Sequence, residues 1–381
     1  MKSRERLLTT LNHQVPDKVP LDFGGNQTGI HHLAYRKILD HFALNEEIVI
    51  MDVVQQLAAP SETILKRFEI DTRYIRPGMF APAPELREVK PGYWGVTDGF
   101  GVVWAMPGKR PGEGLYCDIV HHPLAHLTYE DLDFYDWPDG TDPAPFQGLR
   151  DYARKLRGET DYALVSGITG VVFEYCWYMR GFENLYMDMV ENPKFVEKLL
   201  DHTLKYWTDF LGVFLDEVGD CLDVICVGDD IGMQSGPLFS PDLYRNLIKP
   251  YQKSLYEFIH WKTQAKLWYH SCGSVVQYLP DFIDNRVDIL NPVQVSARGM
   301  DPRILKQEWG RDLVFWGGGN DPQGVFSRGT PEQVRDQVRE RMEIFKPGGG
   351  YVFNTVHNIQ AEVPAENIIA LWNAAKEFRD Y

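Results

Sequence analysis

Apolar, β-branched and aromatic residues gather in eight short runs along the chain, at Val19–Phe23, Thr72–Arg76, Ala163–Gly167, Val224–Val227, Ala265–Tyr269, Val287–Leu290, Leu313–Trp316 and Tyr351–Asn354. Each has the length and continuity of a buried strand. Between most of them the apolar positions change to a spacing near 3.6. Asn192–Val218 carries Phe195, Val196, Leu199, Leu200, Leu204 and Trp207 at that period, which predicts an amphipathic helix. Thr330–Phe345 predicts another, with Thr330 as N-cap and Pro331 at the first helical position.

Strands alternating with helices pair in parallel. Eight such units predict an α/β protein built as a (β/α)₈ TIM barrel. An open doubly wound sheet would share the first few, but here polar residues collect just after the strands, where barrels carry their sites. Asp229, Asp230, His270, Cys272, Asn291, Gln294, Asn320, Asp321 and His357 all fall there. One stretch, Pro77 to about Pro145, breaks the repeat and is rich in Gly, Pro and aromatics. Within it Tyr93–Val96 facing Gly101–Trp104 reads as a β-hairpin. The insertion, about 77–145, is expected to form a lid or wall beside the barrel mouth of a single domain, 1–381.

Composition narrows the class. With 381 residues and 44% hydrophobic content, a large core is available. No run approaches the roughly 18 apolar residues that cross a bilayer, and the charged opening Met1–Arg6 has no signal-like apolar core. Five cysteines, 117, 176, 221, 226 and 272, suit a reducing compartment, and a cytoplasmic location is expected. The net charge of −15, with no basic cluster, argues against nucleic acid. It also weighs against a polyanionic substrate, unless local arginines overcome the field.

His270 and Cys272 stand in i, i+2 relation at a strand end, so both point to one side. With His357 from another strand end they could hold a metal by three protein ligands and leave a position open, as catalytic zinc sites do. For each the plain alternative is a buried small hydrophobe or a histidine satisfied by backbone. Of Asp229 and Asp230, one is expected to face the pocket and the other to cap a turn. Asp52 reads as a helix N-cap, a substrate-facing carboxylate, or both. Gly317–Gly319 lack the lysine and spacing of a P-loop and are expected to let backbone pass close to a ligand. His31-His32 and His121-His122 read as surface residues.

Taken together the chain resembles the uroporphyrinogen decarboxylase superfamily along essentially its whole length. The resemblance is carried by the Arg4–Val19 opening, Asp52, Tyr175 within Gly167–Arg180, Phe239–Pro241 to Lys249–Tyr251, and Gly349–Pro364. It implies a distorted (β/α)₈ barrel and one of two chemistries. The decarboxylase branch is cofactor-free and uses an N-terminal arginine pair, an Asp at Asp52, a Tyr near Tyr175 and a His at His357. Here the arginine pair is replaced by Gly24–Ile30, which removes the anchor for a multiply anionic tetrapyrrole. The other branch, corrinoid-dependent methyltransferases, binds zinc through a His-x-Cys pair and a later Cys. His270 and Cys272 match the pair, and His357 stands roughly where the later Cys would be.

The expectation is therefore a zinc-dependent methyltransferase acting between a small-molecule substrate and a corrinoid protein. His270, Cys272 and His357 would be metal ligands, with Asp229, Asp230 and His357 catalytic. Asp52, Tyr175, Gln294 and Asn320 would bind substrate. The corrinoid would come on a partner protein, and a homodimer fits the class. The alternatives are tetrapyrrole decarboxylation and a non-catalytic corrinoid- or pterin-binding protein.

Overall fold

The computed structural model describes residues 1–168 and 170–381. Seven strands form one parallel sheet: β1 (Thr72–Ile75), β2 (Ala163–Ile168), β3 (Val224–Gly228), β4 (Lys266–His270), β5 (Ile289–Asn291), β6 (Val314–Trp316) and β7 (Tyr351–Val352). Each pairs with its neighbour in sequence order, from β1 at one edge to β7 at the other. Helices follow the strands, including Phe173–Arg180, Pro193–Val218 and Pro331–Phe345. Thr330 and Gln333 close a capping box on the last of these.

The eighth expected strand, Val19–Phe23, does not form as one. It lies between the two sheet edges as an extended stave, bridged in parallel from Leu21 to Phe353. On its other side the Asp71 N–H donates to the Leu21 carbonyl at 2.8 Å. The Leu21 N–H goes to the Asp71 carboxylate at 2.9 Å instead of to a ladder carbonyl. Pro20 offers no N–H at all. The barrel is thus closed but distorted, with one stave held by few main-chain bonds.

Alternation along the strands divides the core in two. Val165, Val224, Cys226, Trp268, Ile289, Val314, Trp316 and Val352 fill the barrel interior, joined by Leu7 and Leu11 of helix Ser3–Leu11. That helix stoppers the amino-terminal end, its Arg4 N–H donating to the Asp161 carbonyl just before β2. The larger core lies between strands and helices. The carboxyl end is left open for polar residues.

The insertion forms a four-stranded antiparallel sheet, not a lone hairpin, from Arg87–Lys90, Tyr93–Thr97, Val103–Pro107 and Asp118–His121. The central pairing sets Val96 opposite Trp104 and Thr97 opposite Val103, three residues from the expected register. Asp98 explains the shift, because its carboxylate accepts from the Phe100 and Val102 N–H groups and the Trp104 indole. Those bonds keep residues 98–102 as loop. Phe100 and Trp104 pack on Tyr175 and Tyr178 of helix Phe173–Arg180, with ring centroids 4.4 and 5.0 Å apart.

Candidate metal centre

β4 ends on His270, whose ring stacks on that of Trp268 two residues earlier, at 5.7 Å. Asn291, last in β5, sits opposite His270 in the ladder. Its Nδ2 donates to the Trp316 carbonyl at 2.8 Å, so the atom 2.6 Å from His270 Nδ1 is the amide oxygen Oδ1. An amide oxygen only accepts, which places the imidazole proton on Nδ1 and leaves a lone pair on Nε2. That lone pair faces Cys272 Sγ at 3.4 Å. His357, in the loop after β7, brings its ring to 5.4 Å from that of His270, at 67°. The ligand atoms of His270, Cys272 and His357 all lie within 4.8 Å of one another, the sole such cluster of three among the described residues.

The turn carrying Cys272 is held from three sides. Gly273 has φ +84°, and a Cβ there would lie 2.5 Å from the Gly232 backbone, so only glycine fits. The Cys272 N–H donates to Asp230 Oδ1 at 2.6 Å, and the Gly273 N–H to Gln294 Oε1 at 2.7 Å. Gln294 is itself braced on Gln234 at 2.8 Å. It shapes the turn that presents the thiol.

Asp229 and Asp230 divide their tasks. Asp229 is fully buried and accepts from the Phe173 and Glu174 N–H groups and from Gln252 Nε2. It caps the start of helix Phe173–Arg180, and burial pushes its carboxyl up to about 7. Asp230 is the member at the pocket, 3.9 Å from His270 Nε2 with its side chain 37% exposed.

Desolvation pushes His270 down to about 4, and His357 to about 4 with the help of His270 and against the pull of Asp230. Both imidazoles are therefore neutral at pH 7 and able to act as ligands. Burial, then the carboxylates of Asp230 and Glu174, raise the Cys272 thiol well above its usual value. Glu174 and Asp230 are both raised as well, by burial first. Neutral nitrogens, a thiol and two acidic side chains converge here with no positive charge among them, surroundings that could receive a cation. The 3.4 Å from Nε2 to Sγ is close to the roughly 3.6 Å expected between N and S ligands of tetrahedral zinc. His270 and Cys272 thus have the spacing of zinc ligands, and with His357 the three could hold a metal ion.

Other candidates lie elsewhere on the mouth. Asp52 ends the short strand Ile50–Asp52 and caps a turn, not a helix, through Val54 and Gln55 N–H groups at 2.9 Å. Its second oxygen meets Gln55 Nε2 and Asn26 Nδ2, and it lines a cavity of about 440 Å³ with Asn26, Arg76 and Trp207. Tyr175 packs against Phe100 at a tilt and edge-on to Tyr178 and Trp207. Asn320 is buried, accepts from the Val356 N–H at 3.2 Å, and has no partner for Nδ2. It supports the His357 loop.

Two expectations change. Gly317–Gly319 leave room for the strand segment beside them, since a Cβ on Gly319 would meet the Phe353 ring at 2.5 Å. His31 is 2% exposed, caps helix His32–His41 and bonds the Leu115 carbonyl, so it is no surface residue. Sequence reasoning missed Asn291 as the group orienting His270, and also Glu174 and Arg76. Asn291 and Arg76 each gave a signal only as the polar end of a strand run, whereas Glu174 gave none.

The family model for uroporphyrinogen decarboxylase (URO-D) matches residues 119–378, and the chain belongs to that family. It is 26% identical over 248 residues to a uroporphyrinogen decarboxylase of Psychromonas ingrahamii, across 60% of this chain and 62% of that one. A second, from Pseudoalteromonas translucida, is 40% identical over 67 residues, 18% of each chain. The chain thus matches less than two thirds of the length of these relatives. Among solved structures, a methyltransferase from Methanosarcina mazei superposes over 99% of both chains with a TM-score of 0.65 at 18% identity, a likeness of fold. No helix among the described residues is long and apolar enough to cross a membrane.

Proposed function

We propose that the protein is a zinc-dependent methyltransferase that moves a methyl group between a small substrate and a corrinoid carried by a partner protein. The observation that supports this reading is the convergence of His270 Nε2, Cys272 Sγ and a His357 ring nitrogen at the open end of the barrel. These three would hold zinc, which supplies a Lewis acid for the atom that gives or receives the methyl group. Asn291 fixes the His270 tautomer, and Gln294 and Asp230 fix the Cys272 turn. Asp230, partly open to solvent, can accept a proton from a substrate beside the thiol. Asp229 positions helix Phe173–Arg180, and with it Tyr175, which we assign to the substrate wall. Asp52 keeps a substrate role through the cavity it lines, and the start of the insertion, between Pro77 and Pro84, forms part of its wall.

Elemental analysis of the purified protein and of Cys272→Ala tests the assignment. About one zinc per wild-type chain, lost in the variant with the fold retained, is expected. A wild type that takes up no metal under reducing conditions would turn His357 into an acid–base group and favour cofactor-free decarboxylation, the activity named for its sequence relatives.

A further inference from the structure

The 440 Å³ cavity lies at the carboxyl ends of β1 and β2, where Arg76 and Gly167 line it. Arg76 follows the last residue of β1. Among the described residues its guanidinium makes one hydrogen bond, from Nη1 to the Met51 thioether, and no ion pair. A thioether is a weak acceptor, so most of the guanidinium's five donors are unspent. Asp52 shares the cavity and its charge favours the Arg76 cation, but no salt bridge joins them; its oxygens accept from Val54, Gln55 and Asn26. Gly167 makes the space: a Cβ there would lie 2.7 Å from Arg76 Cγ and 3.3 Å from Asn26 Oδ1. Trp207 and Phe210 give the same cavity aromatic walls.

We propose that this cavity binds a small molecule with a flat apolar body and one carboxylate, the carboxylate received by Arg76 and the body by Trp207 and Phe210. The guanidinium fork suits a carboxylate held bidentately. One arginine, with Asp52 as a fixed negative charge nearby, selects a singly charged ligand over a phosphate dianion or a multiply charged tetrapyrrole. The volume falls at the lower end of small-molecule pockets. The wall is tied to the metal centre, because Asn358, next to His357, donates to the Asn26 carbonyl at 2.7 Å and to Gln55 Oε1 at 2.9 Å. The inference rests on the barrel mouth being a substrate site, as proposed above, and not on metal binding.

Calorimetric titration of the whole chain with 3-methoxybenzoate, 3-methoxybenzamide and phenyl phosphate tests it. Wild type is expected to bind the benzoate about 10- to 100-fold more tightly than the neutral amide, as for a hydrogen bond to a charged partner, and more tightly than phenyl phosphate. Arg76→Gln should bring the benzoate down to the level of the amide, with amide binding unchanged as proof of an intact cavity. Cys272→Ala should bind the benzoate like wild type whether or not it holds zinc, which separates this inference from the metal assignment. No benzoate binding to wild type, equal affinity for benzoate and amide, preference for phenyl phosphate, or an Arg76→Gln protein with undiminished benzoate affinity would overturn it.

Discussion

His270 and Arg76 occupy matching places in the barrel, one closing β4 and the other following β1, yet their surroundings differ in kind. His270 has its tautomer set by Asn291, its ring stacked on Trp268, and its free nitrogen aimed at Cys272. Arg76 touches one sulfur and otherwise faces a cavity. The difference follows from the demands of the two tasks. A metal centre needs ligands fixed to within tenths of an ångström by their supports, whereas a carboxylate can be received by a fork of donors that settles around it. The family match spans both regions unequally: residues 119–378 include all the metal-site candidates, whereas the cavity takes Gly167, Trp207 and Phe210 from it but Asn26, Asp52 and Arg76 from before it.

Substitutions can set the two regions against each other. Cys272→Ala should give the largest effect, a fall of about 10³-fold in methyl transfer, corresponding to the several kcal/mol a Lewis acid contributes. Benzoate binding should stay intact. Asn291→Ala frees the His270 ring without removing a ligand, and zinc affinity measured against a competing chelator should fall about 10- to 100-fold. An unchanged affinity would show that Trp268 stacking alone holds the ring. Gly167→Ala should be the mildest, displacing the Arg76 stem and weakening benzoate binding a few-fold, with zinc content unchanged. Loss of zinc in that variant would mean the cavity and the metal centre move as one body, and the contrast drawn between them would fail.

Much of the barrel was legible because strand burial and helix period are local properties of the chain. Seven of the eight apolar runs became strands within a residue or two of their expected ends. The eighth failed at Pro20 and Asp71, where a missing N–H and a competing carboxylate replaced ladder bonds. The hairpin register moved for a similar reason, since Asp98 captured the loop that a smooth alternation would have paired. Local pattern marks where a strand can form, and a single side-chain acceptor can decide where it stops.

The metal-site candidates were legible in part. An i, i+2 pair at a strand end must share a side, so His270 and Cys272 could be set together from sequence alone. The same holds for the open carboxyl end of the barrel and for the absence of an arginine pair after the first stave. Tertiary structure alone decided which of Asp229 and Asp230 faces the pocket, because that depends on where helix Phe173–Arg180 presents its free N–H groups. It alone put Arg76, which had looked like the last residue of a strand, beside Asn26, Met51 and Trp207. Those contacts join residues far apart in the chain, and no spacing rule reaches across the turns between them.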